Sequence, residues 1–218
     1  MIHVAAVNQS KLLSTTSFEA ICSALTTQAT HHIAKAWGLA TVSVTPKTPA
    51  SSEWSLIFLD TSDQAGALGY HEDLVDGLPV MKVFVKSCRE DGVSESACAS
   101  HELAEALVDP YLTTANFDGR SRFWATEIGD PAQASTYEVD GIELQDFVTP
   151  QWFSASPTSG AKFDHTGAIR KPFEVPNGGY SQFLDITKPS AGWQEIGLEL
   201  GAGHTRPSRR RNQTKGIA

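Results

Sequence analysis

The sequence predicts an α+β fold, and three observations carry that class. An apolar stripe at helical spacing runs from Phe18 to Trp37, three β-rich segments follow between residues 40 and 87, and a second helical stretch, "ACASHELAEALVDP", spans residues 97–110. With 218 residues, 40% of them hydrophobic and 19% charged, the chain is long enough to bury one ordinary core. One domain over residues 1–203 is expected, followed by a basic tail at 204–218.

The elements follow in order. "IHVAAV" reads as a short strand. Thr16 and Glu19 have capping-box spacing at the head of the long helix, which Gly38 stops. His31 and His32, near its C-terminal end, read as structural, because the helix dipole favours positive charge there. "ATVSV", "EWSLIFLD" and "LPVMKVFVKS" are strands by their β-branched and aromatic content. Before the last of them "GALGYHED", residues 66–73, reads as a short edge strand entering a turn at Asp76 and Gly77. The second helix is expected from about Ser94 to Asp109, ended by Pro110.

Beyond Pro110 the sequence is rich in Gly, Pro, Asp, Ser and Thr, and residues 110–203 are expected to be loop-rich and irregular. "TYEVDGIELQDFV" stands out as a hairpin near 136–148 with Asp140 and Gly141 at its turn. Trp124, Trp152, Phe153, Phe163, Phe173, Tyr180, Phe183 and Trp193 are expected to anchor these loops on the core.

Chemistry concentrates on the second helix. At about 100° per residue Cys98, Glu102, Glu105 and Asp109 all fall within about 100° of His101, while Ala99, Leu103, Ala106 and Leu107 form the packing side. Amphipathicity alone produces such a division. A histidine and a carboxylate one turn apart, however, reach a shared cation, and Glu102 is placed to take a proton from a water beside it. Asp109 lies too far along the axis to share that ion unless the helix unwinds. Glu127 and Asp130 in "EIGD" are the better candidates to complete the site: Glu127 is favoured as ligand, with Asp130 binding the ion or bracing a ligand. Asp109 at a helix C-terminus is electrostatically misplaced unless a donor faces it. "GYHED" offers His71, Glu72 and Asp73, but neighbours on a strand point to opposite faces and do not converge by themselves.

"HELAE" resembles the His-Glu-x-x-His motif of zincin metallopeptidases, with Glu105 in place of the second histidine. The order of strand, long helix, strands, edge strand and motif helix resembles the upper part of those enzymes. "HELAE", "DP", Trp124 and "EIGD" together are similar to a zincin-like group whose members also resemble components of bacteriophage particles; the similarity covers roughly residues 55–155. The resemblance implies a zincin-like fold, with a long N-terminal helix on a small mixed sheet and the motif helix beneath it. It implies a metal centre of His101, Glu105 and one or both of Glu127 and Asp130, with Glu102 as the catalytic base of a peptide hydrolase and residues 66–73 aligning a peptide. The alternative is a structural subunit of a large assembly such as a bacteriophage particle, with a degenerate site. The extra carboxylate hardens the ligand set, so zinc competes with manganese, calcium or an empty site.

Charge sets the expected partners. The formal net charge is −8, and the last fifteen residues contribute five cations and no acid, so residues 1–203 carry −13. Such a body repels nucleic acid, whereas the tail suits an acidic partner surface or solvent. Peptide substrates or neighbouring protein subunits are the expected partners. Three cysteines without a Cys-x-x-Cys pair argue against a disulfide framework. No secretory leader and no membrane span is read, so a cytoplasmic or virion location is expected.

Overall fold

The fold was obtained as a computed structural model and describes residues 1–75 and 77–197. The expected turn residue Asp76 and the basic tail at 204–218 lie outside the described residues.

The N-terminal half is a five-stranded mixed sheet. Strand β1 (Ile2–Asn8) leads into helix α1 (Thr15–Thr27), a π-helical turn (Gln28–Ile33) and the last helical turn α2 (Ala34–Trp37). Strands β2 (Val42–Pro46), β3 (Trp54–Leu59), β4 (Gly69–Val75) and β5 (Leu78–Phe84) follow. The order is β2-β1-β3-β5-β4: the first four run parallel, and β4 is antiparallel to β5 at one edge. The register aligns Ala6, Leu56, Met81 and His71 in one row, so His71 shares the face that carries Leu56 and Met81 into the core.

The helix starts two residues before the expected one. Ser14 is the N-cap, in extended backbone, and its hydroxyl accepts from the Ser17 N–H, so the Thr16/Glu19 box is not the cap. Gly38 ends the helix in the left-handed conformation at φ 68°, as its lack of a Cβ allows. Phe18, Ile21, Cys22 and Leu25 are buried toward the sheet, and Thr26 both donates to the Val44 carbonyl and accepts from its N–H, tying helix to strand.

Two expectations need correction. The segment "VKS" is not strand but the opening of helix α3 (Val85–Glu90), which precedes α4 (Glu95–Val108). The C-terminal half is also less irregular than expected. It holds a four-stranded sheet, ordered β11-β10-β7-β6, from β6 (Ala115–Phe117), β7 (Arg122–Ala125), β10 (Tyr180–Asp185) and β11 (Trp193–Gly197). Its strands are short, and β7 finds its partner β10 far along the chain, so no local pattern announces it.

The expected hairpin is present as β8 (Thr136–Val139) and β9 (Ile142–Gln145), with Asp140 and Gly141 both at positive φ. The aromatic anchors meet one another. Trp124 contacts Trp152, Phe173 and Phe183 with ring centroids 5.3–5.7 Å apart, and Trp152 is fully buried. All three cysteines are buried, and none forms a disulfide among the described residues. Among the described residues no helix is long and apolar enough to cross a membrane.

Candidate metal centre

Helix α4 builds the centre. Ser94 caps it by accepting from the Ala97 N–H, and Glu95 in the first turn suits the positive end of the dipole. The helix is buried on its charged side as well as on its apolar side. Its neighbours are β4 and β5 on one flank, and β9 with the 127–130 segment on the other.

The histidines and carboxylates converge from three elements. His101 Nε2 lies 3.0 Å from Glu105 Oε1 and 3.4 Å from Asp130 Oδ1. Across Glu105, His71 Nδ1 lies 3.6 Å from both Glu102 Oε2 and Glu105 Oε2. Two buried sets result, His101–Glu105–Asp130 and His71–Glu102–Glu105, each with its ligand atoms within 4.8 Å of one another, as holding a cation requires. The centre is closed: relative exposure is 1% for His101 and Glu102, 4% for Glu105, 3% for Asp130, 6% for His71 and 8% for Glu127.

Hydrogen bonding decides which nitrogen of His101 faces the carboxylates. Gln145 donates its amide N–H to the Gly129 carbonyl at 2.8 Å, which leaves its Oε1 to face His101 Nδ1 at 2.9 Å. Nδ1 must then carry the proton, and in the neutral ring Nε2 presents a lone pair toward Glu105 and Asp130. Gln145 is fixed in turn, its N–H donating to Ser100 and its carbonyl accepting from Gln28.

Two glycines make room. A Cβ on Gly129 would stand 2.6 Å from His101 Nδ1, so the glycine of "EIGD" is required by the imidazole lying against it. A Cβ on Gly69 would meet Cys98 Sγ at 2.7 Å and Glu102 Oε1 at 3.0 Å, which is why β4 lies flush on α4.

Burying acids among acids shows in their protonation. Desolvation, helped by the charges of Asp130 and Glu127 and opposed by His101, lifts Glu105 to about 8. Desolvation pulls the His71 imidazole down, but Glu102, Glu127 and Glu105 outweigh it and raise it to about 9.

Of the residues expected from sequence, His101, Glu102, Glu105 and Asp130 come together. Glu127 is buried and its charge acts on His71 and Glu105, but it joins neither set; it is Asp130 that reaches His101. Asp109 also joins neither set. Its carboxylate accepts from the N–H groups of Thr113 and Thr114 and shapes the turn after the helix, which explains an acid at that end. Sequence reasoning missed His71 and Gln145. His71 was foreseeable from alternation, since Gly69 and His71 share the strand face turned to α4. Nothing in the local pattern around Gln145 marks it.

Against this geometry the known proteins are silent. No family model, curated protein or solved structure matches the chain. Beside the centre runs a groove of about 250 Å³ bounded by Leu68, Ser94, Cys98, Thr136, Glu143 and Gln145.

Proposed function

We propose that this chain is a zincin-like metal-binding protein whose divalent cation is held by His101, Glu105 and Asp130. One observation carries the reading: the Gly129–Gln145–His101 chain of hydrogen bonds orients an imidazole so that its lone pair faces two buried carboxylates. The residues fit such an ion. Asp130 Oδ1 is buried without a hydrogen bond, and Glu105 Oε1 makes no aligned one despite standing 3.0 Å from His101. The parallel sheet with one antiparallel edge strand beside the motif helix supports the zincin-like part. One imidazole with two carboxylates is a harder set than that of a typical zinc enzyme, so manganese competes with zinc.

Closure of the centre favours an ion that braces the fold, which suits a subunit of a larger assembly such as a bacteriophage particle. Peptide hydrolysis is the second reading, and a specific arrangement favours it. Glu102 directly follows a ligand, β4 forms the edge of its sheet, and the groove shares Cys98 and Gln145 with the surroundings of the centre. Here the ion would supply Lewis acidity, Glu102 would take the proton from the attacking water, and β4 would align an extended peptide.

The test is metal content by mass spectrometry after dialysis against zinc, for wild type and His101→Ala, beside peptide cleavage by wild type and Glu102→Gln. The expected result is bound metal lost in His101→Ala. Equal and negligible metal in both proteins defeats the proposal. Cleavage abolished in a folded, metal-loaded Glu102→Gln selects the hydrolase; absence of cleavage in every variant selects the bracing role.

A further inference from the structure

We propose that the centre holds two divalent cations, bridged by Glu105, with His71 anchoring the second. This rests on the reading that the centre binds metal at all.

The first reason is geometric. The two sets of ligand atoms share only Glu105, each contains one imidazole, and no set joins both imidazoles. The Glu105 carboxylate is divided between them, Oε1 toward His101 and Oε2 toward His71. That is how a carboxylate bridges two ions about 3.5–4 Å apart in two-metal sites. A single ion bound about 2.0–2.1 Å from a nitrogen suits one set and leaves the other imidazole behind.

The second reason is charge. Glu102, Glu105, Glu127 and Asp130 bring four carboxylates into one region closed to water. Two divalent cations offset four anions while both imidazoles stay neutral, as ligands must. One divalent cation leaves negative charge in excess in this closed region unless His71 carries a proton, and a protonated ring is no ligand.

The third is placement. The sheet register turns His71 inward opposite Met81, and Gly69, two residues earlier, keeps β4 close enough for the imidazole to reach Glu102 and Glu105. His71 presents Nδ1 to both carboxylates, and its Nε2 is buried without a hydrogen-bond partner that would hold the ring otherwise. The ligand class is a borderline divalent cation such as zinc or manganese.

Equilibrium dialysis with zinc alone reads the stoichiometry. Wild type is expected to retain two zinc per chain and His71→Ala one, with circular dichroism unchanged. One zinc in wild type, retained by His71→Ala and lost by His101→Ala, overturns the two-ion centre and leaves the proposed function standing. No zinc in wild type removes both. Should His71→Ala not fold, electron paramagnetic resonance of wild type with two equivalents of manganese decides. A spin-coupled pair is expected, and only the six-line spectrum of isolated ions overturns the proposal.

Discussion

Two regions of this molecule bury acids, and they do so in opposite ways. At Asp146 and Asp164 the carboxylates are met mainly by backbone. Asp146 accepts from the N–H groups of Phe147, His165 and Thr166 and from the Thr166 hydroxyl, and Asp164 accepts from the N–H groups of Ala168 and Ile169. At the His–Glu centre the acids face imidazoles and each other, and buried atoms of Glu105 and Asp130 lack aligned hydrogen bonds. The first pair is a folding device, its backbone donors stapling the loop around residue 165 to the end of the hairpin, with Asp164 Oδ1 alone left without a hydrogen bond. The second region is electrostatically incomplete and asks for cations. Burial of an acid therefore says little by itself; the donors that surround it decide what it is for.

The contrast breaks most visibly at Glu105. With zinc at a thousandfold excess over its dissociation constant, binding adds about 4 kcal/mol to stability, and Glu105→Gln is expected to forfeit that increment. Without metal the same variant should be no less stable than wild type at neutral pH, because burial already holds Glu105 in its neutral form and glutamine keeps that state. Thermal denaturation with and without zinc checks both signs. A variant that is destabilised equally in both conditions would place Glu105 in the same class as Asp164.

Asp164→Ala should show that other class. It leaves the buried N–H group of Ile169 without its acceptor, at about 1–3 kcal/mol, and frees that of exposed Ala168 to water, and the loss should be the same with or without zinc. Urea denaturation under the two conditions measures it, and a zinc-dependent loss would erase the distinction between the regions.

The smallest expected effect concerns pH. Burial, together with the neighbouring Asp164, raises Asp146 to about 7 against the hydrogen bonds it accepts. The folded chain thus holds a proton at this pair that the unfolded chain releases near pH 4. The stabilisation is complete below about pH 4 and is lost as pH rises through 7, with a slope of at most about 1.4 kcal/mol per pH unit. Asp146→Asn keeps an oxygen for the backbone donors and removes the titration. The stability difference between variant and wild type should then move in the variant's favour between pH 4 and 7, as denaturation at several pH values will read.

How much of this was legible follows from how local each signal is. The long helix, the strands of the first sheet, the motif helix and the Asp140–Gly141 hairpin are written in short-range periodicity and turn residues, and they are present. The α3 helix was missed because "VKS" continues an apolar β-like run, and only Phe84, in extended backbone, marks the break. The second sheet was missed because pairs such as Trp124 with Phe183 depend on chain closure over a long loop. In the centre, the spacing of His101, Glu102 and Glu105 showed directly. His71 did not, since its partners lie on another element, and Gln145 reads as an ordinary hairpin residue until its hydrogen bonds are seen.

The π-helical turn at Gln28–Ile33 carries a consequence of its own. From this wider coil Gln28 donates to the Gln145 carbonyl and to the Tyr137 hydroxyl, and His32 meets the same hydroxyl. Shortening the coil by a single residue would restore regular winding and change the spacing of Gln28 and His32, so that they no longer share the Tyr137 hydroxyl. The first helix would then let go of the clamp that aims the imidazole, far from any ligand. An irregularity in the backbone of one helix is thus what keeps another helix's chemistry pointed the right way.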